Sequence, residues 1–154
     1  MAAIATRSVE RFRVSAALLE KAEERRLSSI EAFMLAATAW LDWLEYIEEL
    51  GWRDIPDKPL ELNRRVRARD ETYRRLLLLA SEDLRHWLVK VYTPLELEVR
   101  RTYSDQLRKV GSVDATAKEA HSKYKKLLGD EFVEIARTEI QGLRDPRKLR
   151  SHTR

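Results

Sequence analysis

From residue 29 to residue 143 the apolar side chains recur at steps of three and four, the period of a helix face rather than a strand face. Ile30, Phe33, Met34, Ala37, Leu41, Leu44 and Ile47 form the first such stripe. Ser28 and Glu31 stand before it with capping-box spacing, and Gly51 can supply the left-handed residue that closes it. The spacing predicts one helix over residues 29–50. Gly51, Asp54, Pro56, Asp57 and Pro59 then read as a connection. Beyond it Leu62, Val66, Tyr73, Leu77, Ala80, Leu84, Leu88 and Val91 predict a helix ending near Tyr92.

Thr93-Pro94-Leu95-Glu96 is a second capping box with proline at the first helical position, so a new helix is expected there, running to Gly111. Asp114 is placed to cap a last helix carrying Ala117, Ala120, Tyr124, Leu128, Phe132, Ile135 and Leu143, with a bend expected at Gly129. Residues 7–27 admit two readings. As a helix, Val9, Phe12, Ala16, Leu19 and Ala22 line one face; as a strand, Glu10, Phe12 and Val14 oppose Arg11 and Arg13, and Ser15 caps a following helix. The expected fold class is all-α: an extended N-terminal helical arm (1–28), a three- to four-helix bundle (29–143) and a basic C-terminal tail (144–154).

A chain of 154 residues suits one domain, and 44% apolar content is too high for disorder. With no cysteine, thiol nucleophiles, disulfides and cysteine zinc sites are excluded. The longest nearly uncharged stretch, Ala32 to Leu41, is short of a membrane span, so no membrane insertion is expected. Asn63, Gln106 and Gln141 are the only side-chain amides in a dense mixture of Glu and Arg, a composition that suits a hot environment.

No reaction suggests itself, and no cofactor or metal is expected. His86, His121 and His152 lie far apart in sequence. Asp83-Leu84-Arg85-His86 imitates half of a di-iron carboxylate motif without its second half. Arg147 and His152 have the spacing of a helical ribonuclease motif but follow Pro146 in the basic tail. A protein without catalytic activity is the expectation.

Charge is more informative in its placement than in its net value of +4. Residues 29–50 hold five acidic side chains and no basic one, whereas residues 64–75 hold six arginines against Asp70 and Glu71. Arg64, Arg67, Arg74 and Arg75 share much of one helical side, flanked by Arg65 and Arg69, and their guanidinium forks suit successive phosphates. Surface ion-pair networks or pairing with the acidic helix would concentrate charge in the same way. Further basic zones comprise Arg7, Arg11, Arg13, Arg25 and Arg26 near the N-terminus, and Arg147, Lys148 and Arg150 near the C-terminus. Phe33, Trp40, Trp43, Tyr46 and Trp87 are candidates for core packing or a subunit interface.

Two resemblances give these zones a function. Glu10 to Lys21, with Leu27-Ser28-Ser29-Ile30-Glu31, resembles the opening of ribbon-helix-helix DNA-binding proteins, which implies paired strands placing Arg11, Arg13 and Ser15 at base edges. The chain as a whole looks like the major coat proteins of filamentous viruses of hyperthermophilic archaea, in its size, lack of cysteine, arginine-bearing N-terminal arm and following helical bundle. That resemblance implies dimers, with itself or a homologous coat protein, that wrap linear double-stranded DNA within a virion nucleocapsid assembled in the host cytoplasm. A helical adaptor without a nucleic-acid role is the third reading.

Overall fold

The computed structural model describes residues 2–51 and 57–143. Four helices follow one another: α1 (Ala2–Leu50), α2 (Lys58–Leu79), α3 (82–109) and α4 (115–143). Arg65 and Arg69 of α2 meet Trp43 and then Trp40 of α1, and Arg69 and Tyr73 meet Glu96 and then Thr93 of α3. Ser81 and Tyr92 meet Glu139 and then Tyr124 of α4, whose Lys118 and Glu139 meet Glu48 and then Arg26 of α1, so each helix runs antiparallel to its neighbours. The result is an up-down-up-down bundle built on the second half of α1, and the described residues contain no strand. The first half of α1 continues beyond the bundle as an arm of about 40 Å at 1.5 Å per residue, its described side chains mostly exposed.

The helix start expected at Ser28 is absent, and of the two readings of residues 7–27 the helical one holds. Residues 11–14 are helical, so the strand reading fails, and the capping box at Ser28 starts nothing. The reason is compositional: residues 2–50 contain neither Gly nor Pro, and residues 16–27 are almost entirely Ala, Leu, Glu, Lys and Arg, the strongest helix formers. A cap needs a non-helical residue upstream, and nothing there imposes one.

The break expected at Thr93 occurs instead at Ala80–Ser81. Ala80 turns extended (φ −70°, ψ 147°), and Ser81 caps α3 by accepting the Leu84 amide at 3.3 Å. Glu139, from α4, holds that corner by accepting the Ser81 amide at 2.8 Å and the Ser81 hydroxyl. A tertiary contact thus ends α2 where the apolar stripe itself continues.

At Thr93 the helix runs on because the preceding turn, Leu88–Tyr92, is a π turn. Its wider winding sends the Thr93 amide back five residues to the Leu88 carbonyl, which also accepts the Thr93 hydroxyl at 2.9 Å, and accommodates the proline ring that follows. A second π turn spans Arg100–Ser104. In α4 a third π turn, Leu127–Glu131, spans Gly129. The remaining boundaries match the sequence: Gly51 and Gly111 adopt φ of 82° and 79°, and Asp114 accepts the Ala117 amide at 2.8 Å.

Phe33 sits at the centre of the core, fully buried, with Tyr92 at 5.0 Å and Phe132 at 5.2 Å in edge-to-face geometry. Such arrangements add to the burial itself. The Tyr92 and Tyr124 hydroxyls pair at 2.7 Å, satisfying both, and burial raises both pKa values.

Candidate nucleic-acid interface

The outer face of α2 is strongly basic. Arg64, Arg67, Arg74 and Arg75 recur at helical spacing and all point outward, with Glu71 as the one carboxylate among them. From Arg64 to Arg75 the ridge spans about 16 Å. Arg64 is 81% exposed and 3.5 Å from Glu61, a weak surface pair. Arg67, Arg74 and Arg75 make no ion pair with any described residue. Three exposed guanidiniums on a rigid, solvated helix suit an extended polyanion better than a compact ligand.

Two arginines leave the ridge. Arg69 is only 1% exposed. It lies 4.2 Å over the Trp40 ring, 2.7 Å from Glu96 and 2.8 Å from Asp70. Burial acts to lower its pKa, but Glu96 and Asp70 outweigh that and the net shift is upward. Its charge is consumed inside the bundle, so the expectation of phosphate contact fails for Arg69. Arg65 is half-buried, bonded to Glu61 at 2.7 Å and to the Ala39 carbonyl at 3.1 Å, with its guanidinium 4.9 Å from the Trp43 ring. It ties α2 to α1.

In the arm, Arg13 and Arg25 are exposed, whereas Arg26 is tied 3.0 Å from Glu139. Arg7 and Arg11 lie on α1. Arg147, Lys148, Arg150 and His152 fall outside the described residues, as does the ribonuclease-like spacing they belong to. Among the interface candidates, Phe33 and Trp40 are buried within the chain itself and offer nothing to a partner. Trp87 is half-buried, against Tyr92 and Phe132. Trp43 and Tyr46 stack at 5.3 Å on the outside of α1, with Tyr46 45% exposed.

Beneath the ridge, Arg69, Glu96, Asp70 and Arg100 form an ionic lattice in which Arg100 reaches Glu96 at 3.0 Å. A cleft of about 210 Å³ opens there, lined by Arg69, Asp70, Tyr73, Arg74, Tyr92, Thr93 and Glu96. Its lining charges balance, Arg69 and Arg74 against Asp70 and Glu96. The i, i+4 spacing of Glu96 and Arg100 was the sequence signal for this lattice.

A second, open cleft of about 360 Å³ is lined by Glu45, Glu48, Glu49, Tyr103, Lys118, His121 and Ser122. Tyr103 donates to Glu48 and stacks on His121 at 4.6 Å. Burial lowers the His121 pKa, and Glu45 at 3.7 Å only partly opposes it, so the imidazole favours the neutral form. Burial acts to raise the Glu48 pKa, and the Lys118 and Tyr103 hydrogen bonds bring it below its ordinary value. Among the described residues no group of three or more His, Asp or Glu is placed to hold a metal ion, and no helix is long and apolar enough to cross a membrane. His86 is exposed on α3, apart from both clefts.

No protein-family model, curated protein or solved structure matches the chain.

Proposed function

We propose that this protein is a structural DNA-binding protein whose copies line up along linear double-stranded DNA without reading its sequence. The observation that carries the reading is the α2 ridge: Arg67, Arg74 and Arg75 are exposed on one rigid face and make no ion pair with any described residue. Each guanidinium neutralises a phosphate and releases a counterion, so affinity comes from charge and register rather than from base edges. Arg7 and Arg11, on the arm, add to the same account. The assembly resembles the coat of a filamentous archaeal virus, with the chain as nucleocapsid subunit in the virion and a second copy or a homologous coat protein as its partner. A long helical arm before a compact bundle suits that role, because the arm can join subunits while the bundle presents the ridge.

Fluorescence anisotropy with several unrelated duplexes tests this. Comparable affinities that fall steeply with salt are expected. Discrete selectivity for one two-fold site would overturn the coat reading, and no binding to DNA or RNA at low salt would favour the helical adaptor. The ribbon-helix-helix reading is set aside, since its strand is helical here.

A further inference from the structure

The arm and the bundle half of α1 share a second apolar stripe, about a third of a turn from the one that faces the core. Among the described residues of α1, seven large apolar side chains are exposed, and five of them, Val14, Leu18, Leu35, Tyr46 and Leu50, fall on this stripe at coiled-coil steps. Val14 and Leu18 are 60% and 64% exposed. Around Leu35 the middle of the stripe is small: Ser28, Ala32, Ala36 and Ala39. Among the described residues, Arg65 alone is seen reaching over it, with its guanidinium above the Trp43 ring and bonded to the Ala39 carbonyl.

We infer that this stripe is the site where a second copy of the chain docks, its α1 antiparallel to the first and crossing it at Ala32. The pattern supports that register. With the two-fold axis at Ala32, Val14 meets Leu50, Leu18 meets Tyr46, and the small residues around Ala32 let the two backbones approach. Lys21 and Arg25 lie on the stripe itself, so parallel pairing in register would set each against its own like charge. Antiparallel pairing places Lys21 beside the partner's Asp42 and Trp43, and Arg13 beside the partner's Glu49. Asp42 and Glu49 have no ion pair with any described residue, whereas Glu45 and Glu48 are already bound by Lys125 and Lys118 of α4. Arg25 thereby becomes an interface residue rather than a phosphate contact.

The contact is also large enough. Residues 14–50 span about 55 Å, and a helix face about 10 Å wide over that length buries about 550 Å² per partner, about 1,100 Å² in total, just above the roughly 1,000 Å² that a specific interface should clear. Glu31 comes close to its own counterpart near the axis, a like-charge contact. This pairing deepens the assembly proposed above and rests on it for its purpose. Its test needs no nucleic acid, and the α2 ridge takes no part in it, so the two readings fail separately.

The native chain has no cysteine, which makes disulfide mapping clean. Ala32→Cys should oxidise to a covalent dimer of twice 18.1 kDa. Leu18→Cys should not link to itself but should link to Tyr46→Cys when the two proteins are mixed. In sedimentation equilibrium the wild-type chain should be dimeric. Leu18→Glu with Tyr46→Glu, both at exposed positions, should raise the dimer Kd by at least roughly a hundredfold with unchanged helical circular dichroism. Lys21→Glu and Asp42→Lys should each weaken the dimer and together restore it, and Glu31→Gln should tighten it. A monomer at about 100 μM, or efficient self-linking of Leu18→Cys, would overturn the inference.

Discussion

Arg69→Met removes a guanidinium that a charge count along the sequence places on the DNA surface and that packing places inside the protein. The 1% exposed Arg69 neutralises Glu96, itself only 6% exposed. Breaking a buried pair by deleting one partner costs about 3–5 kcal/mol, because the other charge is left without compensation. Arg100 still reaches Glu96 at 3.0 Å, which places the expected loss near the lower end, about 3 kcal/mol. Removing both charges is different: in Arg69→Met with Glu96→Leu no carboxylate is stranded, and Asp70 retains Arg100 at 3.5 Å. The double variant should lose about 1 kcal/mol or less. Urea denaturation of wild type, both single variants and the double variant measures this cycle, with a coupling energy of about 2 kcal/mol or more expected. Additive losses, or a cost below about 1 kcal/mol for Arg69→Met, would refute the reasoning. So would a loss of DNA affinity in the double variant once it is shown to be folded, since Arg69 would then belong to the ridge after all.

Three further outcomes follow from the structure. Replacing Arg67, Arg74 and Arg75 by alanine should flatten the slope of log affinity against log salt on duplex DNA by about 0.9 per lost phosphate contact, about 2.7 for all three, with stability nearly unchanged; an unaltered slope rejects the ridge. Phe33→Ala should cost about 3–5 kcal/mol in thermal or urea unfolding, because Tyr92 and Phe132 lose the ring they pack against. Stability should be level near neutral pH and fall as pH drops below about 6.5: the unfolded chain protonates His121 at its ordinary value while the folded chain resists, and Glu48 adds a further loss below 4.5. In His121→Phe, which keeps the stack on Tyr103, the decline between pH 6.5 and 5 should be shallower, and an identical melting-temperature profile would contradict the assignment.

The all-helical class could be read from apolar spacing alone, and so could the closures at Gly51 and Gly111 and the Asp114 cap, because each is decided within a few residues. The errors arose where local signals met longer forces. Ser28 and Glu31 carry a start signal, yet the helix formers on both sides of them leave no reason for the chain to pause. Thr93-Pro94 carries another, overridden by a π turn that gives the proline room. The real break at Ser81 depends on Glu139, 58 residues away, which no local pattern reveals.

The same division holds for the candidate site. Spacing placed Arg64, Arg67, Arg74 and Arg75 on one face. Arg69 departs from them because Glu96, Asp70 and the Trp40 ring await it on the inner side of α2, and those partners come together only once α1 and α3 have packed. Phe33 and Trp40 were named as subunit-interface candidates, and packing puts both in the core of the chain instead.

Electron microscopy of the protein mixed with linear duplex DNA, carried to a map in which helices are visible, tests the central claim most directly. The account predicts a continuous filament in which the face of α2 bearing Arg67, Arg74 and Arg75 lies against the DNA backbone in every subunit. A map that places this face toward solvent, or DNA left bare under conditions where the protein is folded and concentrated, would contradict it.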